Sequence, residues 1–176
     1  MINRRTILSL STIAPVGLGL GAISRAEAHD HVTVTRLDAV RWIQAYASAW
    51  ETKDADAAVR LFTEDAVYGA IPGVADQTFI GSNAIHVYWS SITAGQSNIV
   101  VRHGVPIVHD SRAMVELWVT MQVPALNPDG DHFVTLLETN VLYFADRQLV
   151  ARNFEYWNLL MGFIEPPAGW GEGALP

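Results

Sequence analysis

A chain of 176 residues, half of them apolar and none of them cysteine, can fill one core of ordinary domain size without disulfides or thiolate-bound metal. The absence of cysteine excludes thiol catalysis and iron–sulfur chemistry. A formal net charge of −7 with a single lysine, Lys53, leaves no basic surface for sequence-independent nucleic-acid binding.

The first predicted element is an address. Arg4 and Arg5 precede a glycine-interrupted apolar stretch from Ile7 to Ile23, and Ala26-Glu27-Ala28 offers the small residues of a signal-peptidase site. A spanning helix needs about 20 strongly apolar residues, more than this stretch supplies. Met1–Ala28 therefore reads as a signal peptide that resembles the twin-arginine type, with a general secretory signal or a retained anchor as alternatives. The expectation is a periplasmic or secreted protein that is acidic and free of the membrane after cleavage. Cleavage leaves a stub over 29–34 that begins His29-Asp30-His31. A free amine with histidine third suits square-planar Cu²⁺ or Ni²⁺, although a disordered stub is the simpler reading. No resident metal or cofactor is expected.

Thr35 with Asp38 three residues on predicts a helix start, and Leu37, Val40, Ile43, Ala47 and Trp50 carry the helical period to about Thr52. Asp54 opens a shorter helix with Ala58, Leu61 and Phe62 on its apolar face. Asp65–Ile71 and Thr78–Ile80 read as strands around a Pro72-Gly73 turn, and Ser82 is placed as the cap of a third helix striped by Ile85, Tyr88, Trp89 and Ile92. Four long strands follow, Asn98–Val108, Ala113–Val123, His132–Phe144 and Leu149–Leu159, separated by Asp110-Ser111, Asn127-Pro128-Asp129-Gly130 and Asp146-Arg147. Helices first and strands last predict an α+β fold, with three N-terminal helices covering one face of a curved antiparallel or mixed sheet. Residues 165–176 form a Gly/Pro-rich tail.

The run from Trp42-Ile43-Gln44-Ala45-Tyr46 through Asp54–Tyr68, the step Phe79-Ile80-Gly81-Ser82, and the closing Asn153-Phe154-Glu155-Tyr156-Trp157-Asn158 resemble the SnoaL-like, nuclear transport factor 2-like superfamily. The resemblance covers roughly Leu37–Leu159 and assigns 35–164 to one such domain. It implies a cone-shaped fold with a deep pocket, and a homodimer formed through the sheet. It fixes the fold better than the activity, because the superfold hosts isomerases, dehydratases, cyclases, hydrolases and non-catalytic proteins.

Strand parity puts Leu136, Glu138, Asn140 and Leu142 on one face and Asn153, Glu155 and Trp157 on another. The resemblance turns both faces into the pocket; the alternative leaves Glu138 and Glu155 hydrated on the outside. Tyr46 stands where ketosteroid isomerases carry an oxyanion tyrosine, and Asn140 where they carry a second donor. The resemblance places their general base at Ala70, which cannot move a proton, and so argues against isomerisation by the usual residues. Arg102-His103 resembles the start of the dehydratase acid/base strand, and Tyr46 with Glu51 repeats that branch's spacing. The candidate catalytic set is thus His103, Tyr46, Glu138, Asn140 and Glu155, with Trp50, Tyr88, Trp89, Asn153 and Trp157 as candidate substrate contacts. The expected function is a cofactor-independent lyase or isomerase, of dehydratase or cyclase type, acting on a hydrophobic cyclic molecule. A non-catalytic binding protein for an apolar ligand and a dimeric interaction module are the alternatives.

Overall fold

The computed structural model describes residues 32–171; the segment Met1–Ala28, read as a signal peptide, and His29-Asp30-His31 lie outside them. Helix α1 (Arg36–Thr52) and helix α2 (Ala55–Val59) lead into strand β1 (Phe62–Gly69). Strand β2 (Thr78–Ile80) and helix α3 (Ser82–Ala94) follow, then β3 (Ser97–His103), β4 (Ile107–His109), β5 (Arg112–Gln122), β6 (Phe133–Phe144) and β7 (Val150–Met161). The strands form one curved, mixed sheet in the order β2-β1-β7-β6-β5-β3, with β4 beside β5. Only the β1–β7 pairing is parallel. It joins the first strand to the last and brings Tyr68 opposite Asn153.

Each helix start has its own cause. Thr35 and Asp38 form the predicted capping box, and Asp54 accepts from the Ala57 amide at the start of α2. At α3 the expected Ser82 cap is not found. Gly81, at φ +83°, takes the cap position with no side-chain bond, while the Ser82 hydroxyl donates to the Glu64 carbonyl. A tight entry from β2 demands a backbone angle that glycine adopts without strain. Leu37 is another departure: it is 45% exposed, and the buried stripe of α1 runs through Val40, Trp42, Ile43, Tyr46 and Trp50 instead. Phe62 belongs to β1 rather than to the second helix, and the first long strand divides into β3 and β4 around Gly104 and Pro106.

The inner face of the sheet carries Val115, Leu117, Val119, Leu136 and Leu142, and all five are buried. Helix α1 lies along β3, and Glu51 fastens the two by accepting the Val101 amide at 2.8 Å. Helix α3 covers β1 and β2. Between helices and sheet an aromatic cluster links Trp42, Tyr46, Trp50 and Trp89, with centroids 5.0–6.1 Å apart. Among the described residues no helix is long and apolar enough to cross a membrane.

The tail leaves β7 and crosses the outer face of the sheet. There the Trp118 indole donates to the Ile164 carbonyl, Arg102 pairs with Glu165, and Trp170 meets Trp118 edge to face. At the opposite side Arg147, in the β6–β7 turn, donates from Nε and Nη2 to the two carboxylate oxygens of Asp38 at 3.0 and 3.1 Å. This pair ties the start of α1 to the last hairpin. The hydrogen bonds from Arg147, and secondarily that from Thr35, hold the Asp38 carboxyl down at about 2.

A depressed carboxyl stabilises the fold above its unfolded value near 3.8 and loses that contribution as pH falls toward 2. Asp38→Asn is therefore expected to cost about 1–2 kcal/mol at pH 7, discounted for the exposure of Arg147. Urea unfolding checks it: the gap between the two proteins should close as pH drops from 5 to about 2.

Candidate active site

A cavity of about 300 Å³ opens between α1, α3 and the inner face of the sheet. That is about ten times the volume of one liquid water, enough for a small organic molecule. Its walls are the rings of Tyr46, Trp50, Tyr68, Tyr88, Trp89 and Trp157 with aliphatic side chains between them. Ile71, Leu126 and Trp157 are exposed among the lining residues and mark the mouth. The Trp157 indole is pinned there by a 2.8 Å bond to the Ala70 carbonyl. A larger hollow of about 440 Å³ lies beside Arg147 and Trp42, but its buried carboxylate, Asp38, is already paired.

The pocket's charge resides in two carboxyls. Glu138 on β6 and Glu155 on β7 are 4% and 5% exposed. In the β6–β7 register Glu138 faces Trp157 and Glu155 faces Asn140, so the two glutamates are diagonal neighbours on one face. Among the described residues no arginine, lysine or histidine lines the cavity. Burial of such a pair is costly unless protons or donors relieve it.

The two carboxyls are relieved differently. Glu155 Oε1 accepts from the Tyr46 hydroxyl at 2.6 Å, from the Tyr68 hydroxyl, and from Asn153 Nδ2 at 3.3 Å. The two hydroxyls are 2.8 Å apart. Burial nevertheless pushes the Glu155 carboxyl up to about 7, with the Tyr46, Tyr68 and Asn153 donors pulling against it. Glu138 Oε1 has no partner. Burial, followed by the neighbouring charge of Glu155, drives Glu138 well above the ordinary carboxyl range. The three donors favour the anion at Glu155, whereas Glu138, with an oxygen that no group serves, favours the protonated form. Burial and the same negative charge hold the Tyr46 and Tyr68 hydroxyls protonated, so both remain donors.

Of the candidates read from sequence, Tyr46, Glu138, Glu155, Trp50, Tyr88, Trp89 and Trp157 meet in the cavity wall. Asn140 and Asn153 are fully buried on the same inner face but do not line the cavity. Asn153 supports Glu155, while both polar atoms of the Asn140 amide lack a partner. His103 is not brought to the site: it sits at the end of β3 with Nδ1 on the Gly104 carbonyl. Glu51, its expected companion through Tyr46, is spent on the Val101 amide. Tyr68 is the functional residue that the sequence reading missed. Its signal was parity, since it alternates with Ala66 and Ala70, all three buried; only the parallel β1–β7 pairing reveals what that face meets.

The model of the SnoaL-like domain family matches residues 43–152. Three solved structures resemble the chain. One is a protein of ketosteroid isomerase-like fold from Catenulispora acidiphila DSM 44928, in complex with trimethylamine (16% identity, 65% of this chain and 83% of that one, TM-score 0.55). Another is an epoxide hydrolase from M. tuberculosis (15%, 69% and 84%, TM-score 0.55). The third is the pinacolase BvnE from Penicillium brevicompactum (17%, 70% and 84%, TM-score 0.58). At these identities the likeness is one of fold. No curated protein matches.

A raised carboxyl favours the fold below its unfolded value, and that advantage is lost as pH rises to the folded one. Stability should fall between about pH 4.5 and pH 7 by on the order of 3 kcal/mol on account of Glu155. In Glu155→Gln this slope should roughly halve, because Glu138 still ionises well above its unfolded value, as read from urea midpoints at pH 4.5, 6 and 7.5; an unchanged slope refutes the assignment.

Proposed function

Because this chain belongs to the SnoaL-like domain family, we propose that its cavity is the active site of a cofactor-independent acid–base enzyme. The reaction class is isomerisation or elimination on a small, largely apolar molecule bearing a C–O function. The observation that carries this reading is the asymmetry of the two buried carboxyls: Glu155 is served by three donors, whereas Glu138 has an oxygen with no partner. Such an arrangement separates an acid from a base at one site.

In this mechanism the Glu138 carboxyl donates its proton to the substrate oxygen as the C–O bond breaks. Glu155 takes the proton from the adjacent carbon as the double bond forms. Water leaves in an elimination; in an isomerisation the protonated oxygen stays on the skeleton through its second C–O bond, as when a cyclic ether opens to an unsaturated alcohol. The two glutamates then differ only by one proton, and transfer between them or through water restores the starting state. Tyr46 and Tyr68 act as positioning residues that keep Glu155 poised to ionise. The Tyr46 hydroxyl already donates to Glu155, and Asn140 does not line the cavity, so neither takes the oxyanion role expected from sequence. His103 is assigned no proton transfer. Neighbours of the same fold named as an epoxide hydrolase and a pinacolase also act where C–O bonds are made or broken, which supports the class.

The proposal retains export by the signal over Met1–Ala28 and leaves the outer sheet face as the surface for a homodimer. A binding protein with the same pocket is the second reading, favoured by the apolar walls around the mouth.

The test is incubation of purified protein with host-cell extract, followed by mass spectrometry of retained and released molecules. Turnover of a retained compound should fall by roughly 10²-fold or more in Glu138→Gln and in Glu155→Gln. Recovery of that compound unchanged from the wild type selects the binding protein.

A further inference from the structure

A buried carboxylate without a basic partner is the least expected feature of this cavity. Buried charges in proteins are ordinarily paired, and here Glu155 has hydroxyl and amide donors but no cation. Glu138 is 4% exposed, lines the same space, and keeps Oε1 without any partner. The other groups that line the cavity are all neutral, Gln77 and Gln96 among them, and six are aromatic: Tyr46 and Trp50 from α1, Tyr68 from β1, Tyr88 and Trp89 from α3, and Trp157 from β7. Aromatic faces attract cations through their ring quadrupole, and desolvation strengthens the attraction.

These two observations are independent, and both call for positive charge. An anionic ligand would meet two carboxyls and no basic group. A neutral hydrocarbon would leave the carboxylate uncompensated. The geometry points to an alkylammonium group, a protonated tertiary or a quaternary amine, as the ligand class that this cavity receives, its methylated head among the rings and its charge facing Glu138 and Glu155. This inference rests on the reading of the cavity as the working site and names the class of molecule that enters it. The amine supplies the countercharge that the chain omits, so binding favours the ionised form of Glu155 and leaves the Glu138 proton in place.

Calorimetry on the full chain tests the inference with choline chloride and its uncharged carbon isostere, 3,3-dimethylbutan-1-ol. Choline should bind about tenfold or more tightly than the alcohol at pH 8. Choline carries a permanent charge, so any pH dependence of its binding belongs to the protein. Its affinity should rise as pH increases toward about 7, where Glu155 ionises, and level off above. In Glu155→Gln the preference over the alcohol should shrink by about tenfold; if that variant does not fold, the wild-type pH series decides alone. Equal binding of the two probes, a preference for the alcohol, an affinity flat with pH, or no choline binding overturns the inference. The outcome separates from that of the acid–base reading. Turnover lost in Glu155→Gln without choline preference sinks only the ligand class, and choline preference without turnover sinks only the enzyme.

Discussion

Glu155 sits where α1, β1, β6 and β7 converge, and its carboxylate is the group around which the rest is arranged. A glutamate this deep is tolerated because Tyr46, Tyr68 and Asn153 reach one of its oxygens from three different elements. Two of these donors fix long-range relationships: Tyr46 locates the first helix over the last strand, and Tyr68 locates the first strand beside it. Removing the carboxylate would leave two buried hydroxyls competing for each other across 2.8 Å. Polar satisfaction and tertiary placement are here the same constraint.

The aromatic cluster gives that constraint its rigidity. Trp42 stacks on Tyr46, and Trp89 meets Tyr46 edge to face at 5.0 Å. Phe79 stacks on Tyr88 at 4.2 Å, which in turn leans on Tyr68. Rings so held cannot swing their hydroxyls away without disturbing the core between helices and sheet. The rigidity also keeps open a space lined by the same rings. A cavity in a packed interior survives only when its walls are held from behind.

The two acidic clusters show how environment decides what a carboxylate does. Asp38 is nearly as buried as Glu155, yet two guanidinium bonds pull its proton affinity down and give it a structural task. Glu138 and Glu155 have no such cation, so burial wins and their proton affinity rises into the range where acid–base chemistry and ligand charge can act on it. The fold is strengthened at one site by a paired charge and strained at the other by an unpaired one. Strain of that kind is common where function resides.

The amino-acid sequence alone determined the order of elements, the capping box at Thr35, and which residues of the last two long strands share a face. These follow from periods of two and of 3.6, which local chemistry writes directly into the chain. That Glu138, Asn140 and Glu155 point inward was implied by the family resemblance and decided by the structure. The family resemblance could be read from the same residues. Only the tertiary structure decided that Tyr68 joins the site, that His103 does not, and that Glu51 serves the seam between α1 and β3. The first of these outcomes depends on the parallel pairing of β1 with β7, between segments 80 or more residues apart. A long-range pairing leaves no periodic trace in either segment, because each is equally regular as a strand whichever neighbour it finds.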